Sequence, residues 1–85
     1  MAKGPNQKLK LLYLYQILLQ KTDEEHRMSM DELLAALSRC GVAAERKSIY
    51  SDIAALQDFG LDVVMQRGPG GGYYVASRDF ELPEL

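Results

Sequence analysis

The segment Gly68-Pro69-Gly70-Gly71-Gly72 lies between two β-branched and aromatic runs, 61–67 and 73–75, and constrains the fold more than any other feature. Glycine and proline clustered between such runs specify a β-hairpin with a turn longer than the tight two-residue kind. A lone hairpin is marginal in water, so the rest of the chain must cover one of its faces. That remainder reads as helical, which makes the fold class α+β.

Three stretches upstream carry helical periodicity. Within 7–21, Leu9, Leu12, Tyr13 and Gln16 fall on one stripe, and Leu11, Leu14, Tyr15, Leu18 and Leu19 widen it into a broad apolar face. Thr22-Asp23-Glu24-Glu25-His26-Arg27 breaks this pattern as a polar loop. Ser29 followed by Glu32 is a capping box, which starts a second helix at Met30. Leu33, Leu34 and Leu37 form its expected buried stripe, Ala35 and Ala36 admit a close neighbour, and Gly41 stops it. A third helix is expected over 45–59, ending at Gly60, with Ile49, Ile53 and Leu56 inward and Lys47, Ser51, Ala54 and Asp58 outward. Met28, Met30 and Met65 are expected to fill core space. Two helices joined by a short connection, then a hairpin, make a winged helix-turn-helix: three helices followed by a β-hairpin wing.

Composition narrows the function. Eighty-five residues, 47% apolar and 26% charged, suit one small globular core. Ten Lys and Arg against twelve Asp and Glu leave a net charge of −2, so any nucleic-acid partner must be met by local charge. The single Cys40 excludes an internal disulfide and a Cys-rich zinc site, and it suits a reducing compartment, so a cytoplasmic location is expected. No run of about 18 apolar residues occurs, and the polar start of the chain does not resemble a signal peptide, so no membrane association is expected. His26 beside Asp23, Glu24 and Glu25 lacks metal-ligand spacing, and Cys40 has no readable His partner. No enzyme activity, metal or cofactor is expected.

In this layout the third helix enters the major groove of duplex DNA and the wing lies on the adjacent backbone or minor groove. Arg46 and Lys47 supply charge, while Ser48, Tyr50 and Ser51 supply donors and acceptors near a helix N-terminus that itself attracts phosphate. Arg67 is placed to reach phosphate or a narrow minor groove, and Gly70 and Gly71 remove side chains so that backbone can approach. Lys8 and Lys10 are further phosphate candidates, and Asp52, between the two faces, is expected to make a structural ion pair. The expected partner is double-stranded DNA, bound by a monomer or a homodimer.

The chain also resembles the N-terminal winged-helix domain of WYL-domain transcriptional regulators, relatives of the DeoR-like repressors. The likeness rests on Thr22-Asp23-Glu24-Glu25-His26, on Glu45-Arg46-Lys47-Ser48-Ile49-Tyr50-Ser51-Asp52-Ile53, on Gly70-Gly71-Gly72-Tyr73-Tyr74-Val75 and on Phe80-Glu81-Leu82-Pro83-Glu84-Leu85. It implies a bacterial regulator whose third helix reads DNA and whose effector binds a downstream domain outside this chain. Residues 1–76 would be the DNA-binding domain and 77–85 the start of the linker. Ser51 stands where the family often has Arg, and Ser48 where Thr is usual, so Lys47 and Arg46 carry more of the binding.

Winged helices also serve as protein-interaction or dimerisation modules without direct DNA contact. The net negative charge and the first helix, where Leu11, Leu14 and Leu18 exceed what a small core covers, motivate that alternative.

Overall fold

The computed structural model describes residues 6–76; the Lys8 side chain and the 77–85 segment, with the linker read into it, lie outside the described residues. Helices α1 (Asn6–Lys21), α2 (Met30–Arg39) and α3 (Arg46–Phe59) precede strands β1 (Val63–Gln66) and β2 (Gly72–Val75). This is the α+β winged-helix order. No described helix is long and apolar enough to cross a membrane.

α1 buries a different stripe from the one expected. Leu14 and Leu18 are fully enclosed and Ile17 and Lys10 nearly so, whereas Leu9 and Leu12 stand 41% and 61% exposed. The periodicity offered two neighbouring rows, and Lys10 marked the true one as polar. Its burial is made tolerable by an ion pair described below. The apolar surplus of α1 therefore lies at Leu9 and Leu12, not at Leu14 and Leu18.

α2 begins as the capping box requires: Ser29 Oγ accepts from the Glu32 N–H at 3.1 Å and Glu32 Oε1 accepts from the Ser29 N–H at 2.8 Å. It ends at Gly41, whose φ of 84° favours glycine. Met30, Leu33, Ala36 and Leu37 are its buried residues, with Leu34 half-buried and Ala35 exposed. α3 starts one residue later than expected, with Glu45 as an N-cap that makes no side-chain cap bond. Ile49, Ile53 and Leu56 face the core, and Gly60 terminates the helix at φ 124°. The Gln57 amide donates to the Val63 carbonyl at 2.8 Å and ties α3 to β1.

The hairpin is antiparallel, pairing Val63 with Val75 and Gln66 with Gly72. Its turn is closed by the Gly71 N–H donating to the Gly68 carbonyl at 2.9 Å, with Pro69 second and Gly70 third at φ 74°, the type II arrangement. Tyr73 is buried and Tyr74 half-buried, as alternation demands. Met65 shares the face of Val63 and pairs with the buried Tyr73, yet it is 48% exposed on the outer strand rather than filler.

A third strand-like pairing has no counterpart in the sequence reading. Met28 and Tyr73 exchange backbone bonds of 3.0 and 2.7 Å, which joins the approach to α2 onto β2. Residues 22–27 are likewise ordered by local bonds rather than an open loop. The Asp23 and His26 backbones pair at 2.9 and 3.1 Å, and Asp23 Oδ1 lies 2.8 Å from His26 Nδ1 and accepts from the Glu25 N–H at 2.8 Å. The His26 contact, then the Glu25 N–H, holds the Asp23 carboxyl below its ordinary range.

Thr22 closes the circuit. Buried at the end of α1, its hydroxyl donates to the Leu18 carbonyl at 2.6 Å and accepts from the Val75 N–H at 3.0 Å. Thr22→Val keeps the shape and strands that N–H, so we expect a loss of about 1–3 kcal/mol. The check is urea unfolding, with a lower midpoint at an unchanged m-value.

Candidate nucleic-acid interface

With Ile49, Ile53 and Leu56 anchored in the core, the 100° helical step turns Lys47, Tyr50, Ser51, Ala54 and Asp58 to solvent. These residues form the outer face of α3. Arg46 is exposed at its N-terminus and pairs with Asp31 in the first turn of α2. Lys47 has no ion-pair partner among the described residues. The exposed carboxylates Glu45, at the N-cap, and Asp58, near the far end of the face, leave Arg46 and Lys47 in the first turn as its basic residues.

Ser48 is placed differently from its neighbours. It is half-buried, and its Oγ accepts a hydrogen bond from Lys10 Nζ. The same ammonium lies 2.7 Å from Asp52 Oδ2, with the two side chains only 7% and 20% exposed. Ser48 and Lys10 are thus turned toward each other rather than outward, which corrects the expectation that Lys10 contacts phosphate. Asp52 makes the structural ion pair expected of it. Together the three side chains fix the N-terminal half of α3 against α1.

Tyr50 lies on the exposed face of α3. It is 55% exposed, yet close enough to Tyr73 to affect that phenol, which is raised above its ordinary value by burial first and by Tyr50 second. On the other side of the hairpin the Arg27 guanidinium sits 5.2 Å from the centre of the Tyr74 ring. No local pattern around Arg27 announces this contact, which lies beside the Met28–Tyr73 pairing.

At the wing tip Arg67, Gly68, Pro69 and Gly70 are exposed, and Arg67 has no ion-pair partner among the described residues. Gly71 serves the turn itself: its N–H is engaged by Gly68, and a Cβ there would stand 2.2 Å from the Gln66 carbonyl oxygen. Of the expected residues, the structure gathers Arg46, Lys47, Tyr50 and Ser51 on α3 and leaves Arg67 and Gly70 on the separate tip of the hairpin. Among the described residues no three His, Cys, Asp or Glu side chains are grouped to hold a metal ion. Comparison with family models, curated proteins and solved structures finds no match to this chain.

Proposed function

We propose that this domain binds duplex DNA as the reading head of a transcription regulator, with the outer face of α3 in the major groove and the wing on the adjacent backbone or minor groove. The observation that carries this reading is Lys47, lifted outward on the first turn of a helix whose opposite side is locked in the core. The helix dipole adds partial positive charge at the same end. Lys47 neutralises a phosphate or donates to guanine, while Tyr50 and Ser51 supply hydrogen bonds to base edges or backbone. Arg46 exchanges Asp31 for phosphate at little cost, because an exposed pair of this kind is worth about 0–1 kcal/mol. Arg67 anchors the wing. Ser48 acts from behind, holding the helix through Lys10. The resemblance to WYL-domain regulators supports the same reading, in which the protein works in the bacterial cytoplasm and any effector binds a domain outside this chain.

A single small module buries only about 600–1,000 Å² on DNA, so binding by one copy is weak and falls steeply with salt, and two copies on adjacent half-sites bind more tightly. The test is fluorescence anisotropy of a mixed-sequence duplex across a salt series. We expect Lys47→Ala and Arg67→Ala each to weaken binding and to reduce the slope of log K against log salt by about 1. A folded domain that leaves the duplex unbound at low salt refutes the proposal and favours the protein-interaction module.

A further inference from the structure

Away from the outer face of α3, the chain carries a second surface that DNA binding leaves unexplained. α1 and α3 enclose an open apolar groove of about 420 Å³, lined by Leu11, Leu12, Tyr15, Ala55, Leu56 and Phe59. Two of its walls are large side chains in contact with water, Leu12 at 61% and Phe59 at 59% exposure. Apolar residues gathered in one concavity, unlike single ones scattered over a surface, mark a place where something docks.

We propose that the occupant is the C-terminal segment of this same chain, seated through Phe80, Leu82 and Leu85. Three observations lead to it. The first is where the described chain ends. The Ala76 N–H donates to the Asp62 carbonyl at 2.9 Å, and the Leu61 N–H donates to the Leu56 carbonyl at 3.0 Å, so Ala76 emerges beside the turn that closes α3. Phe59 belongs to the last turn of that helix. The Val75 N–H is held by Thr22, immediately after α1. The chain therefore departs between the C-terminal ends of the two helices that wall the groove.

The second is direction. Lys10 meets Ser48 and Asp52 in the N-terminal halves of α1 and α3, and the groove residues Tyr15 and Phe59 lie further along both helices. The groove therefore lies on the C-terminal side of the Lys10 contacts on both helices, the side on which Ala76 emerges. Residues 77–85 extend up to about 30 Å at roughly 3.3 Å per residue. The lining spans little more than one helical turn, about 6–8 Å.

The third is the pattern of the segment itself. Phe80 and Leu82 alternate with Asp79, Glu81 and Pro83, and Leu85 follows Glu84. In an extended strand Phe80 and Leu82 share one side while Asp79 and Glu81 take the other, and Pro83 biases Leu82 toward that extended conformation. An apolar edge with an acidic back suits a nonpolar groove open to water. The inference is independent of DNA binding, since none of the groove residues is among those assigned to it.

Methyl and aromatic NMR on the 85-residue chain tests this. We expect nuclear Overhauser contacts from the Phe80 ring to the methyls of Leu11 or Leu12 in dilute samples. Phe80→Asp should abolish them and shift the Leu11 and Leu12 methyl resonances, while the buried Leu33 and Leu37 methyls, which report the fold, stay in place. Leu12→Asp, at an exposed position that the core does not need, should return residues 80–85 to random-coil shifts. The proposal is overturned by random-coil shifts for 80–85 in the unaltered chain, or by groove methyls indifferent to Phe80→Asp. Contacts arising only between differently labelled chains in a mixed sample would assign the groove to a second copy instead and overturn it equally.

Discussion

Lys10→Met is expected to destabilise the domain by about 3 kcal/mol, which for a chain of this size lowers the thermal midpoint by roughly 12–24 °C. The substitution keeps the aliphatic stem and removes the ammonium that lies 2.7 Å from Asp52 Oδ2 and donates to Ser48 Oγ. Asp52 is then left largely out of water without its counter-charge, a state costing more than the pair itself contributes. The 20% exposure of its side chain sets the effect at the lower end of the range for buried pairs. Lys10→Met/Asp52→Leu removes both charges and should recover most of the loss. Thermal unfolding followed by circular dichroism checks both variants. A single-variant loss under about 1 kcal/mol would show the pair behaving like an exposed one.

Gly72→Ala should cost about 3 kcal/mol or more. A Cβ at this position would stand 2.5 Å from the Met28 carbonyl oxygen and 2.6 Å from its carbon, and φ is 152°, where side chains are rarely found. Both neighbours are backbone atoms, so relief requires the Met28–Tyr73 pairing to open. Gly70→Ala is the internal control: its φ of 74° is strained for alanine, but a Cβ there meets nothing within 4 Å, so only the backbone term of roughly 1–2 kcal/mol applies. Urea unfolding ranks the two, and hydrogen exchange at the Met28 and Tyr73 amides should accelerate in Gly72→Ala alone. Equal losses in both variants would deny the close approach any special weight.

The features legible in the sequence are those a local rule governs. The capping box at Ser29 and Glu32, the glycine stops at Gly41 and Gly60, and the inward row Ile49, Ile53 and Leu56 are each written within a few residues of where they act. The outward set Lys47, Tyr50 and Ser51 follows from the same 100° step. What escaped reading depends on partners distant in the chain. The direction of Ser48 is decided by Lys10, 38 residues earlier. The row that α1 buries is decided by whether a lysine finds a carboxylate, which periodicity alone scores as a charge facing water. Thr22 looks like an ordinary loop residue, and Met28 like core filler alone, until β2 arrives beside them.

The bond between Thr22 and Val75 spans 53 positions, and it bears on how the protein comes into being as well as on how it stays folded. A chain that has released the three helices but not β2 still lacks the Val75 N–H that donates to the Thr22 hydroxyl, and the approach to α2 lacks the strand it lies against. Closing so long a loop is slow relative to winding a helix, and nothing is gained from it until the final strand is delivered. The circuit that ties the two ends of the domain together is therefore complete only once residue 75 is available, and a chain cut before it lacks both the Thr22–Val75 bond and the Met28–Tyr73 pairing.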